Sequence, residues 1–159
     1  MDVITMPSLT SLVTKLSADF PELSLVPSDA FSWDPSKKSI FYATKFPSSA
    51  ALLLHELSHA LLDHDSYDKD IQLVAMERDA WGKAVELTAK YGIDIDEDMV
   101  QDHLDSYREW MHARSRCPSC DAVGVQSSKN TYHCVACRAD WTVNEARLCG
   151  LKRYKITPN

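Results

Sequence analysis

The stretch "LLLHELSHALLDH", residues 52–64, decides the reading of this chain. It has the leucine content of a buried helix, yet it carries His55, Glu56 and His59 in its middle. At about 100° per residue, His55 and His59 fall about 40° apart, one turn from each other on one face. Two imidazoles so placed can hold one zinc ion. Glu56 then stands beside the metal, where it can take a proton from a water the ion activates. Leu53, Leu54, Leu57 and Leu61 cover the rest of the wheel, so the helix is expected to be central, with one polar strip facing a cleft. The competing reading is a chance match, with the histidines satisfied by ordinary hydrogen bonds. His64 projects about 140° beyond His59 on an ideal helix and reads as a helix-end histidine outside the ligand set. Asp63, nearer the Glu56 side, is the weak candidate for supporting a ligand from behind.

Zinc with an open catalytic position takes three protein ligands. The next expected helix, residues 69–91, ends at Gly92. It shows an apolar stripe of Val74, Trp81, Ala84, Val85 and Thr88, and a solvated face of Gln72, Asp79, Lys83, Glu86 and Lys90. Glu77 falls inside the stripe. A carboxylate there is costly unless something pairs with it, and a metal would do so. Glu77 is therefore the expected third ligand, and an ion pair with a lysine or arginine is the alternative.

H-E-x-x-H followed by Glu77-Arg78-Asp79-Ala80 resembles the gluzincin branch of zinc metallopeptidases, and the chain's small size makes it most similar to the ImmA/IrrE-type metallo-endopeptidases. The resemblance covers residues 30–91. It implies a zincin-like fold and zinc-dependent peptide-bond hydrolysis, with His55, His59 and Glu77 on the metal and Glu56 as general base. It also implies a strand beside the active helix that pairs with extended substrate, for which "SIFYA" (39–43) is the candidate. Trp81 stands where many gluzincins carry an aspartate that supports a zinc histidine. His103 and Tyr107 are weighed as helpers for the oxyanion and assigned no role.

A second metal site is written in the cysteines. "CPSC" (117–120) and "CVAC" (134–137) are separated by thirteen residues, the spacing of a zinc ribbon. Cys117, Cys120, Cys134 and Cys137 around one zinc would supply folding energy that so short a segment lacks. The intervening residues read as a hairpin and "ADWTV" as a closing strand. His133 is surplus to a complete tetrahedron, and Cys149 is a spare thiol.

Charge divides the chain at the same place. Residues 1–112 hold 9 Lys/Arg against 20 Asp/Glu, and residues 113–159 hold 8 against 3. The expected domains are thus 1–114, a metallopeptidase domain, and 115–159, a ribbon. Arg114, Arg116, Lys129, Arg138, Arg147, Lys152, Arg153 and Lys155 make the ribbon basic, and contact with nucleic acid or an acidic protein is one expectation for it. Tyr132 and Trp141 are read as core, with base stacking as the alternative. "DIDEDMVQDHLD" (94–105) imitates a calcium loop but has Met99 where such a loop turns on glycine. It reads as the acidic start of a third long helix, 94–116. A short helix at 7–17, a strand at 23–26 and a hairpin over 30–43 complete the elements. "MDVITMPSLT" has no basic start and no apolar run, so no leader is expected. With its reduced cysteine pairs, the chain is expected to be cytoplasmic and to have no membrane partner.

The expectation is an α+β chain: a mainly helical zincin-like domain with a short sheet, then a small β ribbon. It would bind two Zn2+ ions, one catalytic and one structural, and act on a protein or peptide substrate. Two alternatives stand beside it. One is a SprT-like protease acting on DNA-bound proteins; the other is a catalytically inert binding module built on the ribbon.

Overall fold

The computed structural model describes residues 8–158, so the reading of the first seven residues lies outside it. Among the described residues, four helices and two small sheets make an α+β arrangement. They divide into two compact units. One runs to Asp65 and takes in Met76–Val100; the other comprises Ser66–Ala75 and the chain from Gln101 onward. Besides the cysteine segment, the second unit therefore takes in residues 66–75 and 101–114. No helix among the described residues is long and apolar enough to cross a membrane.

In the first unit, helix α1 (Leu9–Asp19) starts where Ser8 accepts a bond from the Ser11 amide, an N-cap that satisfies one orphan donor. It buries Leu12 and Leu16. Strand β1 (Ser24–Pro27) follows, then the hairpin of β2 (Ser32–Asp34) and β3 (Ser39–Tyr42). The hairpin turn is held by Asp34, whose Oδ1 accepts from the Ser36 and Lys37 amides. Lys38 closes it with φ 47°.

The sheet order is β1-β3-β2, with β3 parallel to β1 and antiparallel to β2. Residues 39–42 are thus the middle strand, and both of their edges are taken. The expectation that this stretch offers a free edge to substrate does not hold; the outer strands are β1 and β2. The cause is burial: Ser39, Ile40 and Tyr42 are all buried. Apolar alternation alone does not separate a central strand from an edge strand.

Helix α2 (Ser49–Leu61) packs against β2 and β3. Ser48, at its N-cap, makes no side-chain cap bond, and Ser49 Oγ accepts from the Phe46 amide in the preceding turn. Helix α3 (Asp70–Tyr91) ends at Gly92, whose φ of 64° lets the Ile93 amide reach back to the Thr88 carbonyl. Along α3, Glu77, Ala80, Trp81 and Ala84 are buried, whereas Val85 is 47% exposed and leaves the stripe expected for it. Helix α4 (Glu97–Ser115) begins after Asp96, whose carboxylate accepts from the Asp98 amide.

The second unit holds the four-stranded antiparallel sheet β4-β5-β6-β7: Val125–Ser128, Thr131–His133, Asp140–Val143 and Arg153–Ile156. The first three strands are the expected hairpin and closing strand; β7 has no counterpart in the sequence reading. Cys117, Tyr132, Cys134, Trp141 and Val143 form the core, with Tyr132 stacked on Trp141 at 5.6 Å. Gly124 is required here, because a Cβ would lie 2.4 Å from the Trp141 ring and 2.7 Å from the His133 carbonyl.

Candidate metal centres

Helix α2 buries its leucines and thereby turns His55 and His59 the same way. Their rings meet edge to face with centroids 4.6 Å apart, and their Nε2 atoms lie 3.1 Å from each other. Glu77 arrives from α3. Its Oε2 lies 2.9 Å from His55 Nε2 and its Oε1 3.3 Å from His59 Nε2. His55, Glu77 and His59 are only 1%, 5% and 8% exposed. Among the described residues, these two histidines are the partners found for Glu77, so the alternative of an arginine or lysine is not realised. Tetrahedral zinc with bonds of 2.0–2.1 Å separates its ligand atoms by about 3.3 Å. Spacings of 2.9, 3.1 and 3.3 Å, the two to Glu77 taken from different oxygens of its carboxylate, are close to that separation. The three residues can hold a metal ion.

The electrostatics fit a cation. Burial works against the Glu77 charge, but hydrogen bonds and charges from His55 and His59 outweigh it and hold the carboxyl well below its ordinary range. Burial also lowers the basicity of His59, and here the Glu77 hydrogen bond, with the charges of Glu77 and Glu56, reverses the balance and raises it. Glu56 is partly buried beside them. Desolvation pushes its carboxyl up to about 7, with the His59 charge opposing and the Glu77 charge adding. Trp81 lies on His55, ring centroids 4.2 Å apart and 30° from parallel.

Two neighbouring residues depart from the expectation. Asp63 is exposed, and His64 is the residue that reaches the site: its Nδ1 lies 2.8 Å from His59 Nδ1. The ideal-helix projection failed because the helix stops first. Asp63 takes a left-handed conformation, φ 53°. The His64 amide then bonds the His59 carbonyl at 3.0 Å, and the Asp63 amide bonds that of Ala60 at 3.2 Å. That pair of bonds is a Schellman motif, and it folds the chain back over the last turn. A glycine would have signalled it; an aspartate did not. Burial and the charge of His59 keep the His64 imidazole less basic than usual, outweighing Asp79 and Glu77.

The second centre gathers all four expected cysteines. Cys117 and Cys137 sulfurs lie 3.6 Å apart, and those of Cys120 and Cys134 3.5 Å apart. Zinc–sulfur bonds of 2.3 Å place tetrahedral thiolates about 3.8 Å apart, so little adjustment is needed to hold an ion. Thiols this close do not ionise independently. Burial opposes the Cys117 thiolate, yet amide donors from Cys120 and Ser119 and the thiols of Cys137 and Cys134 bring it down to about 6. The Ala122 amide favours the Cys120 thiolate, but the neighbouring thiols outweigh it and push Cys120 up to about 12. A divalent cation would relieve this competition.

Both cysteine turns are built alike. The Asp121 amide bonds the Cys117 carbonyl at 2.9 Å, and the Cys117 amide bonds the Ala122 carbonyl at 2.8 Å. The Arg138 amide bonds the Cys134 carbonyl, and the Cys134 amide the Ala139 carbonyl, both at 2.8 Å. Asp121 and Arg138 have φ of 69° and 66°. The sequence shows the repeat as "CPSCDA" and "CVACRA".

The basic surround is partly engaged within its own unit. Arg114 is 2% exposed and bonds the Asp70 carboxylate through Nε at 2.8 Å. Tyr132 donates its hydroxyl to the same carboxylate, and Gln126 accepts from the Asp70 amide. Arg116 pairs with Asp121, and Arg147 lies over the Tyr107 ring at 3.7 Å. Tyr132 and Trp141 are buried, so neither can serve as a base-stacking platform. His133 pairs with Asp140 and takes no place among the thiols, and Cys149 is exposed. In comparisons with known proteins, the chain matches no family model, no curated protein and no solved structure.

Proposed function

We propose that this protein is a zinc-dependent endopeptidase with a gluzincin-like site, whose four-cysteine ribbon holds a structural zinc and recruits substrate or a partner. One observation carries the reading: ligand atoms of His55, His59 and Glu77, from two helices, converge at 2.9–3.3 Å with a partly buried Glu56 next in sequence to His55. When bound there, a zinc ion supplies Lewis-acid activation of a water and of the scissile carbonyl. His55 and His59 give it neutral nitrogens, and Glu77 gives the negative charge. Glu56 takes the proton from the water and returns it to the leaving amine. A carboxyl pushed up to about 7 is suited to both halves of that transfer.

Elemental analysis and a cleavage assay test this together. The wild type is expected to carry two zinc ions and to cut an unfolded protein such as casein. His59→Ala should carry one, and Glu77→Ala should hold the second weakly. Glu56→Gln should keep both ions and lose about 100- to 10,000-fold in kcat. Two bound zinc ions without cleavage of any unfolded protein, or full activity in Glu56→Gln, would remove the catalytic reading.

A further inference from the structure

We infer that His64 is a positioning residue for a metal held by His59. Resting on the metal site proposed above, the argument starts from the two nitrogens of His59. Nε2 faces His55 and Glu77. A neutral imidazole that gives its Nε2 lone pair to a cation carries its proton on Nδ1, and that N–H needs an acceptor. His64 Nδ1, 2.8 Å away, is the atom in place to accept it.

The acceptor is itself anchored. The Schellman turn ties the His64 amide to the His59 carbonyl. On the other side, the Trp33 indole of β2 donates to the His64 carbonyl at 2.9 Å. The side chain is half-buried, with centroids of the two imidazoles 5.1 Å apart. The end of α2 and the β2–β3 hairpin thereby set the orientation of a ring whose far nitrogen points at the metal position. His64 does not join the ligand set, because it meets His59 on the side away from Glu77.

Cobalt(II) is the probe. Four thiolates give intense sulfur-to-metal absorption, while two imidazoles and a carboxylate give only weaker visible bands, so the two centres titrate separately in the full chain. His64→Leu, which removes the acceptor, should bind cobalt at the histidine centre about 10- to 100-fold more weakly. His64→Asn, whose side-chain oxygen can accept near the position of Nδ1, should recover most of the loss. A merely structural role would lower the melting temperature of the metal-free protein and leave the affinity of the folded variant unchanged. Nitrogen-15 NMR of the zinc-loaded wild type gives a second reading, with the His59 proton expected on Nδ1. Wild-type affinity in a folded His64→Leu, no recovery in His64→Asn, or zinc bound at His59 Nδ1 would each overturn the assignment. A wild type that shows only the thiolate absorption would remove the histidine centre itself, and the role of His64 with it.

Discussion

Glu56 is the residue whose environment matters most. Desolvation lifts its carboxyl to about 7 from an ordinary 4.5. A carboxyl raised in the folded state binds its proton more tightly there than in the unfolded chain. The metal-free fold is therefore unpenalised below about pH 4.5 and loses stability as pH rises through 7. Glu56→Gln removes that loss. Urea unfolding in chelator should find the variant more stable than wild type at pH 8, by about 3 kcal/mol, with the difference closing towards pH 4.5. Glu77 has the opposite sign. Its lowered carboxyl stabilises the fold above its ordinary value, and that contribution disappears as pH falls below it. Gly124 is decided by space alone. Gly124→Ala must displace the Trp141 ring or the His133 backbone, and it should cost about 1–3 kcal/mol in thermal unfolding of the zinc-loaded protein.

At the scale of elements, α2 and α3 end in the same motif with different residues. Gly92 enters the left-handed region without strain; Asp63 does so as an aspartate. Asp63→Gly should leave stability unchanged or raise it by up to about 1 kcal/mol. Asp63→Val, with a branched side chain at φ 53°, should cost about 1–2 kcal/mol. Because the turn carries His64 back to His59, the valine variant should also weaken cobalt binding at the histidine centre, and the glycine variant should not. Equal cobalt affinity in both variants would separate the turn from the metal site. The sheet places its own restriction. With β3 in the middle, the outer edges of this sheet among the described residues are those of β1 and β2, and β2 packs against α2.

Across the whole molecule, two compact units each carry a group of side chains that could hold a metal ion, and the two groups make different demands. The histidine centre sits among helices that bury Leu53, Leu54, Leu57, Trp81 and Ala84. Its unit has an apolar core without an ion. The cysteine unit places two of its thiols in its core, between Tyr132, Trp141 and Val143. Without an ion there, these would be crowded thiols instead of ligands. Hydrogen exchange in excess chelator should therefore strip protection from the amides of β4, β5 and β6, while α2 keeps most of its own. Retained protection across residues 117–143 without metal would mean that the Asp70–Arg114–Tyr132 bonds hold that unit unaided.

The sequence by itself determined the local chemistry. Helical spacing put His55 and His59 on one face, two C-x-x-C pairs brought four thiols together, and a carboxylate in an apolar stripe marked Glu77. The histidine pair and each C-x-x-C pair depend on residues a few positions apart, where backbone geometry leaves one arrangement; the meeting of the two cysteine pairs, and of Glu77 with the histidines, was read from residue chemistry and made by the fold. The tertiary structure alone decided which histidine stands behind His59 and which strand lies in the middle of the first sheet. It also decided that Arg114 is spent on Asp70, and that 153–156 adds a strand. Those outcomes rest on where the chain turns and what it meets after many residues. The Asp63 turn and the Asp70–Arg114 pair leave no periodic trace, because a single backbone angle or a single distant partner decides them.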